Sequence, residues 1–147
     1  MMKKEVSVKL NKYLASVGVE YVKLHNLHWN VVGKDFKPVH EYLEELYNGL
    51  AGSLDSVAEL LKISGEVPVA SLAGFIELSI VEEIPSLERK SSEILEIVVE
   101  DFEKLKALAE EIRKEADEVD DYSVVGAMEG ELEEYKKSLW FMKSMLK

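Results

Sequence analysis

The chain has 147 residues, of which 47% are apolar and 32% charged, and 29 acidic against 18 basic side chains leave a formal charge of −11. That size and balance suit one globular domain with a substantial core and argue against disorder, while the acidic excess repels phosphate backbones and favours cations. The absence of cysteine excludes disulfides, thiolate metal sites and iron–sulfur clusters.

Lys3 and Lys4 are followed by no continuous apolar run, so a secretory signal is not expected. No stretch reaches membrane-spanning length, and a cytoplasmic location is the default. A first helix is expected from about Val6 to Val31. Leu10, Tyr13, Leu14, Val17, Tyr21, Leu24, His28 and Val31 recur along it in one inward stripe, which turns His28 into the protein. Val32 to Lys37 read as a turn around Gly33, with Asp35 as a cap and Pro38 in the first turn of the next helix. That second helix carries Val39, Leu43, Leu46, Leu50, Leu54, Val57 and Leu61, and stops at Gly65.

Pro68 and Gly74 interrupt the pattern between Glu66 and Pro85, where Ser71 to Leu78 can form a short helix. The third long helix is expected from about Pro85, with Leu87, Ile94, Leu95, Val98, Phe102, Leu105, Ile112 and Ala116 as its stripe. Asp117 to Asp121 mark a break, and Ser123 is placed to cap a fourth helix built on Val124, Met128, Leu132, Tyr135, Leu139, Met142 and Leu146. No strand alternation, repeat or low-complexity segment is evident. The pattern is all-α: four long helices whose one long connection joins the second to the third. It fits a ferritin-like four-helix bundle, with a short helix in the crossover and a single domain over residues 1–147.

The chemistry is concentrated in five residues. His40 and Glu44 are four apart on the second helix, as are Asp55 and Glu59, so each pair lies on one helical face. Glu44 and Asp55 are separated by roughly 16 Å at about 1.5 Å per residue, and metal–ligand bonds are only about 2.0–2.2 Å, so one ion cannot join both pairs within one chain. His40 with Glu59, and Glu44 with Asp55, are centred on the same point, between Gly49 and Leu50. A second copy laid antiparallel about a twofold axis there sets each His-x-x-x-Glu against the partner's Asp-x-x-x-Glu. Gly49 and Gly52, near the axis, would let the helices approach closely. His28 adds a second imidazole. Imidazole and carboxylate without sulfur suit iron, zinc or manganese. Taken singly, these residues read as solvated surface acids and as inward histidines bonded to backbone carbonyls. A redox-silent interface zinc that staples subunits together, and a DNA-compacting protein with an incidental metal site, stay open at this point.

The stretch Leu24-His25-Asn26-Leu27-His28-Trp29-Asn30-Val31-Val32-Gly33 resembles the His-Trp-Asn-Val signature of the Dps-like miniferritins. Val39-His40-Glu41, Glu45-Leu46-Tyr47 and Asp55-Ser56-Val57-Ala58-Glu59 resemble the family's second helix, and Glu134-Tyr135-Lys136-Lys137-Ser138-Leu139-Trp140 its last. The resemblance implies a hollow twelve-subunit shell that oxidises ferrous iron, preferably with hydrogen peroxide, and stores ferric mineral inside. It implies metal ligation by His28, His40 and Glu44 of one subunit with Asp55 and Glu59 of its mate. The family often has aspartate where Glu44 stands; glutamate keeps the charge and reaches further. No Glu-x-x-His motif occurs, which separates the chain from ferritins whose di-iron site lies within one bundle.

The resemblance also suggests that Trp29 traps an oxidising radical, the alternative being a core aromatic. His25 is expected outside the ligand set. Asp117, Glu118, Asp120 and Asp121 lie where the family places acidic threefold pores for ferrous ions, although Gly126 and Ala127 fall where relatives often add another acid. Lys3, Lys4, Lys9 and Lys12 make only a sparse basic N-terminus, and Lys136, Lys137, Lys143 and Lys147 near the other end also complement a helix dipole. Direct DNA binding is therefore not expected, and nucleoid association is the alternative to a purely cytoplasmic place.

Overall fold

A computed structural model describes residues 2–147. Its elements run α1 (Lys4–Asn30), β1 (Val31–Val32), α2 (Phe36–Ile63), α3 (Leu72–Leu78), β2 (Arg89–Lys90), α4 (Ser91–Glu118) and α5 (Tyr122–Met145). Four long helices form because apolar residues return every three or four positions, and their stripes close on one core. Leu10, Leu14 and Leu24 of α1, Leu43 and Leu61 of α2, Ile94, Leu105 and Ile112 of α4, and Met128 and Met142 of α5 are all fully buried there. No helix among the described residues is long and apolar enough to cross a membrane.

The architecture is the expected all-α ferritin-like bundle, with a short helix in the crossover and one two-residue bridge in addition. β1 and β2 pair in parallel, Val31 opposite Arg89 and Val32 opposite Lys90. This two-residue bridge ties the exit of α1 to the start of α4. Because α2 also starts there, after the short turn at Gly33, α2 and α4 run parallel. The segment from residue 64 to residue 90 must therefore return along the whole bundle. It is held against α1 by side chains that satisfy its backbone: Asn11 Oδ1 accepts the Val69 N–H at 2.7 Å, and Ser16 Oγ accepts that of Ile80 at 2.9 Å. Gly18, in mid-helix, makes room for α3, since a Cβ there would come within 2.6 Å of the Phe75 ring.

Several boundaries differ from the expected ones. α1 starts a half-turn before Val6, and Met2 is buried beneath its start. Asp35 stands at the N-cap position of α2 without capping it, because its carboxylate accepts the Ser91 hydroxyl at 2.6 Å. The third long helix begins at Ser91 rather than Pro85. Asn26 donates to the Ile84 and Pro85 carbonyls, at 3.3 and 3.4 Å, which holds that stretch outside any helix and leaves Leu87 exposed. At the other end α4 runs through Asp117 and Glu118, so the break is only Val119 to Asp121. The cap of α5 is Asp121, which accepts the Val124 N–H at 3.4 Å, in place of Ser123.

Candidate metal centre

The turn between α1 and α2 brings two imidazoles face to face. His28, in the last turn of α1, and His40, in the second turn of α2, stack with centroids 3.7 Å apart and planes 13° from parallel. His28 Nδ1 donates to the His40 carbonyl at 2.6 Å, and His40 Nδ1 donates to the His28 carbonyl at 2.7 Å. A carbonyl only accepts, so each Nδ1 carries the hydrogen and each neutral ring keeps its Nε2 lone pair for a metal. Such an outer bond fixes both the tautomer and the orientation of an imidazole ligand. Phe36 stacks on the outer face of His40 at 4.8 Å, and Tyr47 sets its ring edge-on to His28 at 5.2 Å. His28 is buried and His40 half-buried.

Glu44 lies one turn beyond His40, largely exposed, with Oε1 3.8 Å from His28 Nε2. An ion bonded to both atoms at about 2.1 Å fits that separation, so the donors present suit a hard or borderline divalent cation. Asp55 and Glu59 lie together further along α2, both exposed. The hydrogen bond and charge of Asp55 raise the Glu59 carboxyl above its ordinary range. Among the described residues, no group of three or more His, Asp or Glu side chains is placed to hold a metal alone. One chain thus presents two separate groups of candidate donors, His28 of α1 with His40 and Glu44 of α2, and Asp55 with Glu59 further along α2.

Between these sets the surface of α2 is bare. A Cβ on Gly49 or Gly52 would meet nothing within 4 Å, so nothing inside the chain requires either glycine.

The remaining candidates are scattered. Trp29 is 68% exposed, its ring 5.5 Å from that of His25, so it is not a core aromatic. His25 sits outside the ligand set: its Nδ1 donates to the Tyr21 carbonyl at 2.7 Å and its ring stacks on Tyr47 at 3.8 Å. Tyr47 was not singled out from the sequence, although its place three residues after Glu44 carried that signal. Burial and the Glu44 charge raise its phenol. Asp117 and Glu118 end α4, with no basic residue in its last turn. Asp120 accepts from the Tyr122 hydroxyl at 3.1 Å, and Asp121 caps α5.

The ferritin-like domain family matches residues 8–147. A DNA protection during starvation protein of Brevibacillus brevis is 36% identical over 141 residues, spanning 96% of this chain and 94% of its own. The Dps structure from Bacillus brevis superposes with a TM-score of 0.94 at 35% identity, covering 99% of this chain and 100% of that one. Dps from Staphylococcus aureus gives 0.95 at 31% identity, over 99% and 97%. A Dps of Vibrio cholerae O1, described as a member of a broad superfamily of ferritin-like diiron-carboxylate proteins, gives 0.94 at 26% identity. With its four-helix bundle, its paired imidazoles and these relatives over nearly its whole length, the chain belongs to the ferritin-like family, in the Dps branch.

Proposed function

We propose that the chain is an iron-detoxifying and iron-storing oxidoreductase, active as a twelve-subunit shell built from single-domain subunits spanning residues 1–147. The observation that carries this reading is the reciprocal bonding of His28 and His40, which leaves both Nε2 atoms as donors, that of His28 beside Glu44, with no complete site among the described residues of one chain. Asp55 and Glu59 of a twofold mate complete the donor set. The open surface at Gly49 and Gly52, at the centre of the same helix, favours a close antiparallel approach of two α2 helices. Ferrous iron is the substrate, with zinc and manganese as competitors for the same donors.

In this reading His28 and His40 hold one ferrous ion with Asp55, Glu59 bridges, and Glu44 holds the second ion. Two ferrous ions give one electron each. Hydrogen peroxide takes both electrons and two protons, its O–O bond breaks, and two waters result. Pairing the electrons avoids release of hydroxyl radical, which is how such a protein shields DNA without binding it. Ferric product then collects inside the shell. Asp117, Asp120 and Asp121 form the uptake route. Acids in the last turn of α4 oppose the helix dipole, so a role other than stability accounts for them better. A cytoplasmic site of action, near the nucleoid, suits this chemistry.

The test is anaerobic titration of the assembled protein with ferrous iron, then peroxide, followed by ferric absorbance and by mass. Rapid ferric absorbance at about two iron ions per peroxide, lost in His40→Ala shells of unchanged mass, is the expected outcome. A metal-binding site that yields no ferric absorbance would leave a structural interface metal in its place.

A further inference from the structure

Three charged residues lie in the interior of the bundle, where the iron chemistry does not use them. Glu20 of α1 has no exposed surface, and Lys23 and Asp101 are 7% and 4% exposed. Lys23 Nζ stands 2.8 Å from Asp101 Oδ2. Both Glu20 carboxyl oxygens and Asp101 Oδ2 are buried without a hydrogen-bond donor, and the Glu20 side chain lies within hydrogen-bonding reach of Asp101. The contrast with Glu131 is instructive. That carboxylate also faces the bundle interior, and it accepts from the Tyr13 hydroxyl and, at 2.8 Å, from the Ser53 hydroxyl. Glu20 has no such partner.

Two buried carboxyls and one ammonium leave an unbalanced charge in a medium where a lone ion is severely disfavoured. A ligand carrying one positive charge, small enough to lie between two carboxyls already in contact, removes the imbalance and supplies the missing donor. A divalent cation would be repelled by the Lys23 ammonium, which stands 2.8 Å from Asp101 Oδ2. We propose that Glu20 and Asp101 share one proton beside Lys23, making the bundle interior a proton-binding site whose occupancy stabilises the folded subunit. Glu20 then donates to Asp101, and Asp101 pairs with Lys23. Lys23 also lines a cavity of about 200 Å³ beside Trp29 and Ile84, while Glu20 and Asp101 do not, so protons exchange with the site only slowly.

The charged and titratable groups acting on Glu20 are Asp101 and Lys104 from α4 and Lys23 from its own helix, and Glu20 in turn acts on Tyr135 of α5. Burial first, then the Asp101 charge, raise the Glu20 carboxyl well above its ordinary range, against the smaller opposing effects of Lys23 and Lys104. The folded chain therefore holds a proton that the unfolded chain has released. Stability from this group is complete below the ordinary carboxyl range and is lost as pH rises through the raised value.

The test is denaturant unfolding of the assembled protein, wild type and Glu20→Gln, at equal concentration in chelator-treated buffer between about pH 6 and pH 9.5. The wild type is expected to lose up to about tenfold in its folding constant per chain for each pH unit of this range, beyond any slope in the variant. Glu20→Gln keeps a neutral donor toward Asp101 at every pH and should lack that loss. Infrared spectra of the wild type at neutral pH should show the carbonyl stretch of a buried, slowly exchanging carboxylic acid that fades as pH rises. Equal pH slopes in the two proteins would overturn the proposal. So would magnesium or potassium raising the alkaline midpoint of the wild type alone, since a metal ion would then occupy the site. If the variant does not assemble, the infrared titration decides, and absence of the band at neutral pH overturns the proposal.

Discussion

Each imidazole of the His28–His40 pair gives its Nδ1 hydrogen to the other residue's carbonyl, so the rings are set before any metal arrives. The two histidines and their spacing to Glu44 were readable from the chain, because residues four apart share a helix face. Their mutual bonding was not, since it depends on how the Gly33 turn folds α2 back on α1. Glu20 sits three residues after Val17 and four before Leu24, on the core stripe itself. That position was the signal for a buried acid, masked by the general rule that charges lie outside. Trp29 carries a direct prediction. With 68% of it exposed, Trp29→Phe should change stability by no more than about 0.5 kcal/mol. If the indole traps oxidising equivalents, the variant should lose its peroxide-induced radical signal in electron paramagnetic resonance while thermal unfolding stays unchanged. An undiminished signal would remove Trp29 from that role.

At the level of elements, the long helices were legible because their stripes have a clear period, while their ends depend on partners the sequence does not display. Pro85 looked like a helix start, yet Asn26, far away in the chain, holds the stretch after Ile84 extended. The β1–β2 bridge is too short for any alternation to announce it. Two helix ends illustrate a choice of residue. α2 closes with Gly65 at φ 85°, its N–H bonded to the Lys62 carbonyl and that of Glu66 to Leu61. α4 closes in the same way, with Asp120 at φ 56°, its N–H bonded to Asp117 and that of Asp121 to Ala116. Glycine is the favoured residue in this left-handed position. Asp120→Gly should therefore stabilise the protein by roughly 0.5–1 kcal/mol in denaturant unfolding. If the acidic turn admits iron, the same variant should take up ferrous ions more slowly. Faster or equal uptake would assign Asp120 no part in it. On α2, Gly52→Leu meets open space within the chain, so the helix content of the subunit should be unchanged by circular dichroism. Light scattering should nevertheless show weakened assembly if two α2 helices approach at this surface as proposed. Full assembly of this variant would move the twofold contact elsewhere.

For the whole molecule, shared ligation has a pairwise signature. His40→Ala and Asp55→Ala chains should each be inactive in peroxide-dependent iron oxidation. A mixed dimer places both lesions on one of its two sites and leaves the other whole. Random co-assembly of equal amounts should thus restore about a quarter of the sites, as isologous pairing requires. No recovery in verified mixed dimers would mean that each site lies within one chain. Charge also acts at this scale. On the proposed function, a shell with −11 per subunit would repel duplex DNA within about 8 Å at physiological salt, so metal-free protein should leave duplex mobility unchanged in a gel. Iron oxidation should still protect that DNA from ferrous iron and peroxide. Tight, salt-sensitive retardation would instead reveal a basic surface created by assembly.

The parallel course of α2 and α4 makes the two ends of the subunit chemically unlike. His28, His40 and the β1–β2 bridge share one end, while the acidic turn at Asp120 lies beside Gly65 at the other. Over a helix of 28 residues that distance is roughly 40 Å. On the proposed function, an ion admitted past the acidic turn would not pass directly to the imidazoles of the same chain. It would join a common reservoir from which every centre draws, as in a stirred vessel with separate inlets and reaction surfaces. Inlet and reaction surface are then interchangeable among subunits, and the throughput of the vessel follows the total number of each rather than their pairing within a chain.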